Sequence, residues 1–299
     1  MICSLCPRNC GKERREREGD GFCRAGMLPK IAKAALHHWE EPCISGKRGS
    51  GTVFFSGCNL GCVFCQNYKL SHEDYGEIVS IRRLAEIFSE LEEQGAHNIN
   101  LVTPTHYVPA ICEALALARP SIPVVYNCGG YEKTETLELL RGYIDIYLTD
   151  IKYYSNARAL RYSGAPDYFA VASKALLAMR EQTGPAVFDE EGILQKGTVL
   201  RHLVLPGCGK DSQKIIRWFS RYAPKGTYIS LMSQYIPCGK AADYPEINRR
   251  LRRREYEEVV SFLMETGIEE GWLQDLDSAK KEYIPDFDLQ GVFSQEKKY

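Results

Sequence analysis

The chain has 299 residues, 44% of them apolar, with 38 Lys and Arg against 39 Asp and Glu for a net charge of −1. That size and composition allow a full core for one main α/β domain with a small appendage. The balanced charge excludes a dominant phosphate-binding surface, so nucleic acid is not an expected partner.

In chain order, residues 1–48 come first. Their opening, MICSLCPRNC, lacks the apolar stretch of a secretory signal, and apolar runs throughout the chain stop well short of the roughly 18 residues that span a membrane. A soluble, cytoplasmic protein without a membrane partner is expected. In such a setting twelve cysteines argue for metal or catalytic use rather than disulfides. Cys3, Cys6, Cys10 and Cys23, spaced C-x2-C-x3-C-x12-C, stand in charged, weakly periodic sequence (GKERREREGDG) that is too short and polar to build a core. Four thiolates satisfy a closed structural zinc site; a second iron–sulfur cluster, or cysteines without metal, are the rival readings.

Residues 49–245 alternate short apolar runs with helical patterns. GTVFF (51–55) leads into a cysteine loop. SIRRLAEIFSELEEQG then has Ser80 as N-cap, apolar Ile81, Leu84, Ile87, Phe88 and Leu91 at helical spacing, and Gly95 as stop. Further strands are expected at 98–103, 123–127, 144–150, 198–207 and 228–235, each followed by helix-like sequence. Six βα units imply a parallel sheet, either an open doubly wound one or a partial barrel, with its chemistry at the strand C-termini. Residues 246–299 complete the chain as a helix ending at Gly267, a short strand at 271–275 and a polar tail. The basic run from Arg249 to Arg254 is a solvated helix face neutralised by Glu255, Glu257 and Glu258.

The loop GCNLGCVFCQN places Cys58, Cys62 and Cys65 at C-x3-C-x2-C spacing. Three thiolates on one loop without a local fourth fit a four-iron cluster with one open iron; a zinc loop borrowing a distant ligand is the alternative. Polar residues gather at the other strand ends: TPTH (103–106), NCGG (127–130), TDIK (149–152), LPGCG (205–209) and SQYIPCG (233–239). His106 is read as a structural hydrogen-bonder or a proton carrier, and Cys208 and Cys238 as small buried residues or thiols facing the barrel mouth. Cys112 and Cys128 are read as packing residues.

Cys58, Cys62, Phe64 and Cys65 match the C-x3-C-x-aromatic-C signature, and on them the chain resembles the radical S-adenosylmethionine (SAM) superfamily. That resemblance implies a partial (βα)6 barrel with a cysteine-rich N-terminal appendage. It also implies a [4Fe-4S] cluster whose open iron chelates SAM, and reductive cleavage of SAM to a 5′-deoxyadenosyl radical that abstracts a hydrogen atom. CSLCPRNCGKERREREGDGFCRAG, NLVTPTH, YLTDIKYY and LMSQYIP further resemble pyruvate formate-lyase activating enzyme-like proteins, implying a protein or peptide substrate such as a glycyl-radical enzyme and a flavodoxin- or ferredoxin-type electron donor. In that likeness Asp150 and Lys152 form the D-x-K element beside the SAM methionine, Thr103 and Thr105 replace a Gly-Gly-Glu element, and Arg201, Gln234 and Tyr235 contact SAM or substrate. Asn127 stands where activases carry an acidic residue, and Asn67 orders the cysteine loop. A small-molecule or RNA substrate, and a non-enzymatic zinc-binding adaptor, are the alternatives.

Overall fold

The computed structural model describes residues 2–276 and 285–294. Its strands are β1 (Lys30–His37), β2 (Ser50–Phe55), β3 (Glu77–Ile78), β4 (Ile99–Val102), β5 (Val124–Cys128), β6 (Ile146–Asp150), β7 (Val187–Phe188), β8 (Leu194–Leu203), β9 (Tyr228–Met232) and β10 (Gly271–Leu273). The helices are α1 (Pro42–Ser45), α2 (Tyr68–Ser71), α3 (Ile81–Glu93), α4 (Val108–Ala118), α5 (Thr134–Glu138), α6 (Asn156–Ser163), α7 (Tyr168–Thr183), α8 (Gly209–Tyr222) and α9 (Arg253–Glu265). The tail at 277–284 and 295–299 lies outside the described residues.

β2, β4, β5, β6, β8 and β9 are the six strands expected from the apolar runs, and each is parallel to its neighbour. They follow the order β10-β9-β8-β6-β5-β4-β2-β1-β3, with β10 parallel to β9 at one edge. Among the described residues the edge strands β3 and β10 do not pair, so the barrel is partial, as expected. The chain adds β1, antiparallel to β2 from Ile31 to His37. Its sequence KIAKAALH hides a strand because alanines replace the β-branched residues that normally mark one.

Local rules explain the helices. The Ser80 hydroxyl accepts from the Arg83 N–H at 3.1 Å and caps α3, while Leu84, Ile87, Phe88 and Leu91 are buried against the sheet; each such side chain contributes about 1.5–3 kcal/mol by burial. α9 starts at Arg253, so Arg249, Arg250 and Arg252 of the basic run precede the helix rather than lying on its face. Ile247 is fully buried as an anchor, and Glu255 accepts from the Arg252 N–H and pairs with Arg249 at 2.7 Å, fixing the helix start. Arg253–Glu257 and Arg254–Glu258 follow at 3.6 and 2.9 Å, as the charge pattern implied.

Inward-facing residues of the barrel fall into layers. Cys43 and Ile44 of α1 pack with Val125, Ile146, Leu148, Leu194 and Val199, plugging the end where the strands begin. Two residues further along β5, β6 and β8, Asn127, Asp150 and Arg201 border the space above this apolar layer. The cysteine loop covers the opposite end.

Candidate functional site

The turn after β2 carries the cysteine loop. Gly57 and Gly61 both have positive φ (+86° and +67°), and a Cβ at Gly57 would lie 2.7 Å from the Cys23 carbonyl oxygen; only glycine accommodates both demands. The loop is held by backbone bonds from Cys65 N–H to Cys62 O (3.2 Å) and from Val63 N–H to Tyr162 O (2.9 Å). Asn59 Nδ2 donates to Tyr131 O at 2.6 Å. Phe64 is buried, its ring edge-on to Tyr153, Tyr162 and Tyr235.

Cys58, Cys62 and Cys65 border one cavity of about 220 Å³ at the strand C-termini, together with Phe64, Asn67, Thr103, Asn127, Asp150, Lys152, Arg201 and Gln234. The structure thus brings together most of the residues singled out from the sequence. Two stand apart. Thr105 is buried and donates to Glu132 Oε1 at 2.6 Å, and Tyr235 is buried with its hydroxyl on Ile247 O; neither borders the cavity. Thr103 does, and it holds a left-handed φ of +60°, a costly geometry for a β-branched residue. His106 is also outside the cavity: its Nε2 bonds to Ser56 O at 2.7 Å, and burial pushes its pKa down to about 4. That leaves it a neutral structural hydrogen-bonder at physiological pH. Cys208 and Cys238 do not border the cavity either.

An ion network spans the cavity floor. Arg201 Nε donates to Asp150 Oδ1 at 2.9 Å, its Nη1 to Glu40 Oε2 at 3.0 Å and its Nη2 to Asn127 Oδ1 at 2.6 Å. Glu40 Oε1 accepts from Asn127 at 3.1 Å and from Asn100 at 3.4 Å. Lys152 Nζ pairs with Asp150 Oδ2. Burial alone would raise the Asp150 carboxyl, but Arg201 and Lys152 outweigh it and hold it below the usual carboxylate range. For Lys152, burial opposes the charge, while Asp150 and then the Cys62 sulfur bring it up to about 12. Both groups are therefore charged at neutral pH.

Glu40, with His37 and the exposed Trp39 at the cavity edge, escaped the sequence reading. The only signal was the cluster HHWEEP ahead of α1, and nothing local tells that it enters the barrel.

The thiols fit a cluster by donor chemistry. Burial, followed by the neighbouring Cys62, raises Cys58 to about 11, and burial with Cys62 and Cys58 raises Cys65 to about 12, so loading must displace their protons. Among the described residues no group of three or more His, Cys, Asp or Glu is gathered around a single-ion position. Each thiolate of a four-iron cluster binds a different iron, so such ligands stand further apart than those of one ion. The same observation gives no support to zinc on Cys3, Cys6, Cys10 and Cys23. Hydrogen bonds hold that segment: buried Arg14 donates to Ala25 O and Gly26 O, and Arg8 fastens it to the barrel. These bonds brace the segment whether or not its cysteines hold a metal.

Comparison with known proteins agrees. Residues 52–218 match the family model described as the radical SAM superfamily. An uncharacterized protein of Methanocaldococcus jannaschii is 31% identical over 268 residues, 86% of this chain and 73% of that one. SuiB of Streptococcus suis bound to its precursor peptide SuiA superposes with a TM-score of 0.50 at 15% identity, over 74% of this chain and 48% of SuiB. Methylornithine synthase (PylB) gives 0.47 at 14% identity, over 70% of this chain and 60% of that one. The chain thus spans about half the length of SuiB, and likeness at this identity speaks to the fold alone. The chain belongs to the radical SAM superfamily, whose chemistry uses a [4Fe-4S] cluster and S-adenosylmethionine.

Proposed function

We propose that this chain cleaves SAM reductively and abstracts a hydrogen atom from a protein or peptide, in the manner of a glycyl-radical activase. The observation that carries the reading is the convergence of Cys58, Cys62 and Cys65 with Asp150, Lys152 and Arg201 on one cavity at the strand C-termini. When bound, a [4Fe-4S] cluster and SAM would supply one-electron radical chemistry for removing the hydrogen atom. The chain's own residues do the rest. Cys58, Cys62 and Cys65 would hold three of the irons, and Phe64 and Asn67 brace the loop. Lys152 and Asp150 offer a cation and an anion to a zwitterionic ligand. Asn127, Arg201, Gln234 and the backbone at Thr103 line the remainder, and the apolar plug on α1 keeps water from the far end.

A peptide substrate is supported by the exposed Trp39, 55% accessible at the cavity edge, and by SuiB, whose structure holds a precursor peptide. An external flavodoxin- or ferredoxin-type protein would deliver the electron. Among the described residues no helix is long and apolar enough to cross a membrane. We divide the chain into a cysteine-rich segment (1–48), whose β1 joins the sheet, the barrel (49–245) and a C-terminal helix and tail (246–299).

The test is anaerobic reconstitution with iron and sulfide, then incubation with dithionite and SAM. Formation of 5′-deoxyadenosine, with deuterium gained from an α-deuterated peptide or glycyl-radical protein, is expected. SAM cleavage that draws deuterium only from small molecules would overturn the peptide assignment, and no cleavage by a four-iron protein would overturn the whole reading.

A further inference from the structure

The C-terminal end of α6 meets the cysteine loop through side chains that the activity described above leaves unused. Ser163 Oγ donates to Cys62 Sγ at 3.0 Å, and both residues are buried. Tyr153 Oη lies 2.8 Å from Ser163 Oγ. With the tyrosine donating to the serine and the serine to the sulfur, the two hydroxyls form one chain ending on a cluster ligand. The arrangement is fastened from outside. Arg8, in the N-terminal cysteine segment, donates from Nε to Asn59 O at 2.8 Å and from Nη2 to Leu60 O at 3.0 Å. It reaches α6 at Ser163 O from the same Nη2 (2.8 Å) and at Gly164 O from Nη1 (2.5 Å). One guanidinium thus clamps the loop to the helix end, and Phe22 packs against its face at 4.0 Å.

We propose that Ser163, oriented by Tyr153 and clamped by Arg8, is the positioning residue that sets how readily the cluster on Cys58, Cys62 and Cys65 accepts its electron. This rests on the radical SAM reading above. A hydrogen bond donated to a cluster thiolate stabilises the more negative, reduced state more than the oxidised one, and so raises the reduction potential. The serine proton stays on its oxygen; the single electron comes from an external donor. Low surrounding polarity enlarges the effect, and the second hydroxyl polarises the first.

The experiment is an electron-paramagnetic-resonance redox titration of reconstituted wild-type, Ser163→Ala, Ser163→Thr and Tyr153→Phe proteins, with iron content and SAM affinity measured alongside. Ser163→Ala is expected to keep four irons and SAM affinity while the ratio of reduced to oxidised cluster at a fixed potential falls about ten-fold, a shift of about 59 mV for one electron. Tyr153→Phe should shift in the same direction by less, and Ser163→Thr, which keeps the hydroxyl, should stay near wild type. A change below two-fold in both Ser163→Ala and Tyr153→Phe would overturn the proposal while leaving the radical SAM reading intact. Wild-type protein that assembles no four-iron cluster would overturn both. Should Ser163→Ala fail to fold, Tyr153→Phe alone decides, because it leaves the serine and the Arg8 clamp in place.

Discussion

Glu132 offers a test of the buried polar layer behind the site. Its carboxyl is 2% exposed, accepts from Thr105 at 2.6 Å and from Tyr126 at 3.0 Å, and is pushed by burial up to about 7 despite those bonds. A carboxyl raised in the folded state stays protonated there while its unfolded counterpart ionises, so stability falls as pH rises from about 4.5 to about 7. At 1.36 kcal/mol per pH unit the loss is under about 1 kcal/mol at pH 5 and about 3 kcal/mol at pH 7. Glu132→Gln keeps the shape and removes the ionisation; Thr105 and Tyr126 can turn their hydroxyls to accept from the amide. Urea unfolding of the metal-free chain at pH 5, 6, 7 and 8 should show the variant gaining on wild type by under about 1 kcal/mol at pH 5 and about 2–3 kcal/mol at pH 7–8. His106, held neutral down to about pH 4, loses stability in the opposite direction, as pH falls from about 6.5. It does so in both proteins and cancels in the difference. A difference that does not grow with pH, or a variant less stable at pH 8, would refute the argument.

Cys62→Ala should abolish 5′-deoxyadenosine formation and cluster retention while leaving circular dichroism near wild type, since the apolar strands lie away from the loop; product detected by chromatography from this variant would sink the ligand assignment. Asp150→Ala and Lys152→Ala should weaken SAM binding roughly ten- to a hundred-fold, the worth of a charged hydrogen bond of about 1.5–3 kcal/mol, as read by equilibrium dialysis on reconstituted protein. Gly130→Ala should cost more than about 1 kcal/mol in urea unfolding, because Gly130 has φ +78° and an added Cβ would lie 2.0 Å from the Asp150 carbonyl oxygen. Unchanged stability there would mean that the turn relaxes freely.

What could be read without coordinates was whatever local pattern encodes. The six parallel strands are apolar runs of the right length between turn residues, and Cys58, Cys62 and Cys65 lie within one loop, so their proximity is guaranteed by spacing. Asp150 and Lys152 were legible through the resemblance of YLTDIKYY to the D-x-K element of activases; β6 ends at Asp150, and Lys152 lies two residues past it. Glu40 was not, since its partners Asn127 and Arg201 lie 87 and 161 residues away, and only the tertiary fold joins them. Thr105 was misplaced because TPTH reads as a strand-end loop, whereas residues 105–107 form a 3-10 turn that swings the threonine toward Glu132. β1 was missed because its alanines are indifferent to strand and helix, and pairing with β2 decides between them.

The Arg8 clamp has a bearing on the order of events during synthesis. Its acceptors in the cysteine loop lie 51 and 52 residues further along the chain, and those on α6 lie 155 and 156 residues away. A growing chain therefore presents all three cluster thiols long before the helix that fastens them exists. At about 5–20 residues per second that interval lasts roughly 5–20 s. Iron captured within it would sit on a loop without its serine contact and open to oxidants, so assembly is safest as a late step, after the sixth strand and its helix have left the ribosome.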